Sequence, residues 1–326
     1  MESPIKWSGS KRPLAKEIIS HFPSNKEQDG TFYELFCGSC AITLEMILGK
    51  YPDKCGYQKF ICIDNNEDLI NLWQHIKTSP SLLANGYEDL WKLFNECESV
   101  GQVLDCGHVV TIEQCRKSTF NIVRSRFNDR IDFNKIVSRN IIATSAEKLW
   151  NNNVILYDFD LAIYFMFLLR TCFNGLTRYN SAGIYNSSCH FTRPGIHPDK
   201  MRKILEDTSK LLHEYNVEFK CEDYKNIIPN KNDWVFMDPP YSSVGNGTGK
   251  KSMYHGGIDT SELIEYCNNL KCGYTLTFDG DRGEDNKANK ISLIDTKIVN
   301  LKKKNSSYSR MNGKQVDVSE IMYLKN

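Results

Sequence analysis

Four consecutive residues, Asp238-Pro239-Pro240-Tyr241, put a carboxylate, a proline carbonyl and an aromatic face on one short segment. Trp234-Val235-Phe236-Met237 leads into them as a short buried strand, and Pro239 must end it because proline has no ladder donor. Asp238 is therefore expected at the carboxyl end of a strand, where open α/β sheets bind ligands. The residue before Pro239 is pushed toward extended geometry and Pro240 fixes φ again, so the turn is stiff. Such an edge could accept the hydrogens of an exocyclic amine on the Asp238 carboxylate and the Pro239 carbonyl, while the ring bearing that amine stacks on Tyr241. A lone Asp-Pro-Pro would be an ordinary strand-ending turn, so its weight depends on the rest of the chain.

A second constellation lies near the N-terminus. Thr31-Phe32-Tyr33-Glu34-Leu35-Phe36 reads as a strand, Cys37-Gly38-Ser39-Cys40 as a turn, and Ala41 to about Leu48 as a helix. Strand, glycine turn and helix open a nucleotide-binding unit, with the helix N-terminus and the close backbone approach at Gly38 suited to a polar ligand. A G-x-G-x-x-G is missing, so no dinucleotide fingerprint is supported. Lys59 to Ile63 reads as a second strand ending on Asp64, roughly 20–30 residues after the turn, where an acid can accept from ribose hydroxyls. Asp64 could equally cap the helix expected over 65–76. Cys37-x-x-Cys40 has no second C-x-x-C to complete a metal site, and chance spacing is the better reading. The loop Lys6-Trp7-Ser8-Gly9-Ser10-Lys11-Arg12, before a helix from Pro13 through Phe22, reads either as solvated or as a lid of donors with one flat ring over a small ligand.

A third constellation follows the apolar segment Asp158 to Arg170, expected as a buried helix. In Phe173-Asn174-Gly175-Leu176-Thr177-Arg178-Tyr179-Asn180, the mixture of Phe, Asn, Arg and Tyr is what base-edge readout and stacking want. Ser181-Ala182-Gly183 suits a hairpin turn between Tyr179 and Tyr185, and a Tyr-rich hairpin that merely packs is a fair competitor. Between about Thr78 and Asn153 the strand–helix alternation fades into a polar helical insertion carrying Arg116, Lys117, Arg124, Arg126 and Arg130. Such a basic helix face is more often solvated than DNA-binding.

The remaining elements complete an α/β sheet. They are a helix over Pro198–Tyr215, a strand Val217–Cys221 ending on Glu222-Asp223-Tyr224, and a Gly/Ser/Lys-rich loop over Ser242–Gly257 read as a mobile lid. Gly249-Lys250-Lys251-Ser252 in that loop fails the P-loop spacing. Asp259-Thr260-Ser261-Glu262 resembles a capping box opening a helix. Strands are expected over Tyr274–Phe278, Ile291–Asn300 and Val318–Leu324, with a basic hairpin turn over Lys302–Lys314. The 326 residues suffice for one large α/β domain with an insertion, or for two modest domains. A net charge of +1 requires any nucleic-acid contact to come from a local basic face. No run is long and apolar enough to span a bilayer, and Met1-Glu2-Ser3-Pro4 lacks a signal peptide's apolar core. The twelve cysteines are scattered without paired spacing, which reads as reduced thiols in a cytosol-like compartment.

Taken together, and in this order along Lys6–Leu324, these motifs resemble the Dam-like (D12 class) site-specific DNA adenine-N6 methyltransferases. The resemblance implies a Rossmann-like S-adenosylmethionine-dependent methyltransferase sheet over 1–77 and 196–326, interrupted over 78–195 by a mostly helical target-recognition insertion bearing a β-hairpin. It implies S-adenosyl-L-methionine as cofactor, no metal, and methyl transfer to N6 of an adenine flipped out of double-stranded DNA. Asp238, Pro239, Pro240 and Tyr241 look like the catalytic tetrad, and Tyr254-His255 like a pair in the following loop. Trp7, Lys11, Glu34, Phe36, Gly38, Asp64, Asp223, Tyr224 and Asp238 would line the cofactor pocket. Lys6, Phe173, Asn174, Leu176, Arg178 and Asn180 would meet DNA. A target such as GATC or a related short palindrome, a cognate restriction endonuclease, and a cytoplasmic place on nucleoid or viral DNA follow as expectations. The chain departs from the family pattern where Cys40 replaces a second glycine, and where Ser187-Ser188 stand in the neighbourhood of a proline that meets a thymine methyl. Alternatives are a catalytically inert DNA-binding module of the same fold, and an amino-methyltransferase acting on RNA or a protein amide.

Overall fold

Among the described residues, runs rich in β-branched and aromatic residues form seven strands: β1 (Thr31–Leu35), β2 (Lys59–Asp64), β3 (Val217–Cys221), β4 (Trp234–Met237), β5 (Gly273–Arg282), β6 (Lys297–Lys303) and β7 (Val318–Lys325). Segments of helical periodicity give α1 (Ala15–Ser20), α2 (Ala41–Leu48), α3 (Glu67–Thr78), α4 (Pro80–Asn95), α5 (Ile112–Arg139), α6 (159–171), α7 (Pro198–Glu214) and α8 (Thr260–Asn269). The computed structural model describes residues 2–24, 30–49, 51, 56–103, 108–139, 159–240, 258–282, 291–303 and 318–326. The chain divides into two compact units, one made mainly of Met1–Gly9 and Asn66–His213, the other mainly of Ser10–Asn65, Glu214–Ser252 and Gly256–Asn326.

The second of these units holds the sheet, in the order β3-β2-β1-β4-β5-β7-β6. β3, β2, β1, β4 and β5 run parallel, while β7 is antiparallel to both β5 and β6. β4 is buried along its whole length because both faces of the sheet are covered. Trp234 and Phe236 meet Phe22 at 5.9 and 6.4 Å between ring centroids. Val235 and Met237 point the other way, into a core shared with Leu263 and Cys267 of α8 and with Tyr274, Leu276, Ile321 and Tyr323. A side chain at Gly273 would collide with the Trp234 ring, so glycine there lets the indole lie flat against β5. α8 starts where Asp259 accepts from the Ser261 and Glu262 amides, at 2.7 and 3.3 Å.

In the helical unit α6 is buried nearly all round, as its composition requires. Its Phe167 meets Phe94 of α4 edge-on, and its Phe165 stacks on Phe127 of α5. Phe127 in turn meets Tyr185, which pairs antiparallel with Tyr179 across the expected hairpin. α3 is capped by Asn66, whose side chain accepts from the Leu69 amide, so the cap falls two residues after Asp64.

Several expectations need correction. β6 begins at Lys297 rather than Ile291, because Asp295 takes a left-handed φ of 55° that breaks extended pairing. Ile291 is buried and donates its amide to the Tyr323 hydroxyl instead. Cys97 and Cys115 form a disulfide joining the end of α4 to the start of α5, contrary to thiols reduced throughout; eight other cysteines among the described residues are free. The basic face of α5 is partly spent on structure. Arg116 holds Asn95 and the Phe191 carbonyl, and Arg124 holds the Ser187 carbonyl. The lid over 242–257, with Tyr241, Tyr254 and His255, and most of the hairpin over 302–314 lie outside the described residues.

Candidate active site

The order of strands reverses between β1 and β4, and in open α/β sheets ligands settle at the carboxyl ends of the strands flanking such a switch point. In register, Leu35 pairs with both Ile63 and Met237. The chain therefore leaves three neighbouring parallel strands at one edge: at Phe36 into the glycine turn, at Asp64, and at Asp238.

The glycine turn is built from left-handed residues, with φ of 60° at Phe36, 48° at Gly38 and 49° at Cys40. This alternation turns backbone amides inward. The Cys37 amide donates to the Ile63 carbonyl at 2.8 Å, and the Gly38 amide to Asp64 Oδ2 at 3.1 Å. The Ser39 hydroxyl meets that of Ser10 at 2.7 Å. Glu34 lies buried beneath α2 and accepts from the amides of Ile42 at 3.3 Å and Thr43 at 2.8 Å. It thus caps the helix that Cys40, lacking a capping oxygen, cannot cap. Burial pushes the Glu34 carboxyl up to about 7, against the opposing pull of the Thr43 and Ile42 bonds. Burial also raises the Cys37 and Cys40 thiols.

Asp238 is gripped from two sides. Lys11 Nζ lies 2.7 Å from its Oδ1, and the Thr277 hydroxyl donates to the same oxygen at 2.8 Å. Lys11 is buried and its ammonium also stands 3.5 Å from Glu320 Oε2, on β7. Nearby, Phe36 packs on Tyr224 at 5.0 Å, and Tyr224 meets Tyr266 edge-on. The Tyr224 hydroxyl is buried with no hydrogen-bond partner among the described residues, and burial pushes it up to about 12. Asp223 is spent locally, accepting from the Lys225 amide at 2.9 Å. Pro239 and Pro240 continue directly from Asp238, Pro239 buried and Pro240 half-buried.

The other sequence-predicted residues belong to the helical unit. Lys6 runs along Gly175, where a side chain would strike its Cγ, and burial lowers its ammonium's pKa. Trp7 is half-buried. Phe173 is exposed and stacks on His190 at 5.1 Å. Asn174 is left-handed with φ of 55°, Leu176 is half-buried and Arg178 is exposed. Asn180 is exposed, but its side-chain oxygen is occupied by the amides of Ala182 and Ile184, so it shapes the turn. Ser187 is buried, donating to the Leu176 carbonyl at 2.6 Å and accepting from the Arg178 amide at 2.9 Å. Sequence reasoning missed Thr277, Glu320 and His190, and gave Ser10 and Ser187 none of the contacts they make. Only Glu320 carried a signal, as an acid leading directly into the apolar run Ile321-Met322-Tyr323-Leu324.

A sheet of this strand order, with its last strand inserted antiparallel and a glycine turn facing a Pro-Pro edge, defines the S-adenosylmethionine-dependent methyltransferase class of fold. A family profile described as D12 class N6 adenine-specific DNA methyltransferase matches residues 7–307, and the chain belongs to that family. It is similar to the retron Ec67 DNA adenine methylase of Escherichia coli, 24% identical over 250 residues, covering 76% of this chain and 66% of the relative. The DNA adenine methylase of Serratia marcescens is 25% identical over 77% of this chain and 70% of its own length. The type II methyltransferase M.MjaIII of Methanocaldococcus jannaschii is 27% identical over 77% and 72%.

Proposed function

We propose that the chain transfers a methyl group from S-adenosyl-L-methionine to N6 of an adenine held outside the stack of double-stranded DNA, with Asp238 and Pro239 accepting the hydrogens of the target amine. The observation that carries this reading is the pairing of Leu35 with Met237, which sets the glycine turn and Asp238 at adjacent strand ends. The donor set suits the cofactor. The left-handed turn at Gly38 and the Asp64 carboxylate offer polar backbone and an acid for ribose hydroxyls, and Phe36 and Tyr224 offer aromatic faces for an adenine ring. Glu34 would serve by holding the turn through α2, and Lys11 by holding Asp238. The cofactor supplies a methyl group already activated on a sulfonium.

The protein's task is then the nucleophile. The N6 lone pair is delocalised into the adenine ring. Two acceptors on its hydrogens, the Asp238 carboxylate and the Pro239 carbonyl, pull the nitrogen toward tetrahedral geometry and free the pair for attack. The gain comes from positioning and electrostatics. The proton leaves only after the nitrogen is alkylated, because the neutral amine is far too weak an acid for Asp238. Flipping the base costs a few kcal/mol. Stacking on Tyr241 would return about 1–3 kcal/mol.

The segment 78–195 is proposed as the target-recognition insertion. In it Phe173 would fill the vacated stack, Arg178 would read a guanine edge, and Asn174 and Leu176 would support the contact, with Lys6 on a phosphate or base. A short palindrome related to GATC is the proposed target. Relatives named type II methyltransferases favour a cognate restriction endonuclease as partner. The test is Asp238→Ala: transfer to DNA should be lost while calorimetry still detects cofactor binding, and near-normal turnover would remove Asp238 from its role.

A further inference from the structure

Asp238 is held by groups from distant parts of the chain. Its Oδ1 takes both the Lys11 ammonium at 2.7 Å and the Thr277 hydroxyl of β5 at 2.8 Å. Thr277 also donates to the Met237 carbonyl at 3.3 Å, so the same hydroxyl bridges the strand end and the carboxylate that follows it. Lys11 is not Asp238's alone. Glu320, buried on β7, stands 3.5 Å from the same ammonium. One cation is thus shared between two carboxylates in a site where water is largely excluded and charge interactions are strong.

We infer that Glu320 and Thr277 are positioning residues for methyl transfer: Glu320 draws part of the Lys11 charge away from Asp238, and Thr277 fixes the plane of the Asp238 carboxylate. The inference rests on reading Asp238 as the acceptor of the target amine. The chemical reason lies in the sign of the charge that moves. As the nitrogen takes a methyl group from a sulfonium, positive charge passes onto the amine, and an acceptor stabilises it in proportion to the negative charge it retains. Paired with Lys11 alone, Asp238 would be close to neutralised. With Glu320 in the cluster, one ammonium among the described residues faces two carboxylates, so it neutralises Asp238 less completely. β7 is the strand that enters the sheet antiparallel between β5 and β6, and it is this insertion that brings Glu320 beside a lysine from the N-terminal loop.

The test compares Glu320→Gln, Glu320→Asp and Thr277→Val in the full chain with wild type, reading single-turnover methyl transfer, cofactor affinity by calorimetry and thermal stability. Glu320→Gln should lower the transfer rate roughly tenfold or more. Cofactor affinity should stay within about threefold. Glu320→Asp should recover most of the rate, and Thr277→Val should slow transfer in the same way, without loss of cofactor binding. In a Lys11→Met background the Glu320→Gln change should have little further effect, because the charge it shares is gone. Wild-type transfer by Glu320→Gln, or a loss that is equally large without Lys11, would overturn the inference. Normal turnover by Asp238→Ala would instead overturn the reading of Asp238 beneath it.

Discussion

Cys40 carries the clearest local conflict in the site. It holds a left-handed conformation, φ 49° and ψ 42°, at the start of α2, where a side chain costs about 1–2 kcal/mol and glycine costs nothing sterically. Its thiol is fully buried, so replacing it by glycine loses packing as well as strain. The two effects separate by comparing Cys40→Gly with Cys40→Ala, since both remove the thiol and only glycine relieves the backbone. Cys40→Gly should be more stable than Cys40→Ala by about 1 kcal/mol in urea unfolding. Equal stability would mean the turn carries no such strain. At this scale the site was legible where residues act through their own neighbours. Asp238 before two prolines and Gly38 after a strand announce themselves. Glu34 does not, because its task is to cap a helix that begins on the far side of the turn, while Thr277 reaches Asp238 through sheet pairing, Lys11 reaches it from the N-terminal loop, and Glu320 on β7 meets that lysine.

Among elements, the hairpin over 172–189 shows how the loop proposed to read DNA is kept in shape. Cys172 pairs with Cys189 and Tyr179 with Tyr185, and the buried Ser187 hydroxyl ties Leu176 to Arg178 between them. Asn128 of α5 braces the outer end by exchanging hydrogen bonds with the Tyr185 backbone at 2.9 Å each way. Ser187→Ala strips two bonds from part-buried backbone groups and should destabilise the protein by about 1–2 kcal/mol. Arg178→Ala, at an exposed side chain, should leave stability unchanged and relax discrimination at one base pair by about 1–3 kcal/mol. Melting curves and methylation of single-substituted sites check the pair; an Arg178→Ala enzyme with unaltered site preference would remove it from the proposed readers. The turn itself was legible from Ser181-Ala182-Gly183. The start of β6 was not, because the left-handed Asp295 interrupts a run whose composition alone reads as strand. The Cys97–Cys115 disulfide was hidden because spacing in sequence says nothing of two helix ends meeting.

At the scale of the molecule, the parallel strands and their helices follow from alternating apolar runs. Their order does not, because no local signal tells β7 to enter between β5 and β6. That order nevertheless builds the candidate site, since it sets β1 beside β4 and carries Glu320 to Lys11. A chain of net charge +1 has no global field with which to hold DNA, so its affinity must come from particular residues on a local face. The most direct measurement is to incubate the protein with unmethylated mixed-sequence DNA and labelled S-adenosyl-L-methionine, then map every modified base by sequencing. The prediction is N6-methyladenine confined to one short sequence. Label on cytosine, on RNA or protein instead of DNA, or on nothing at all, would contradict it.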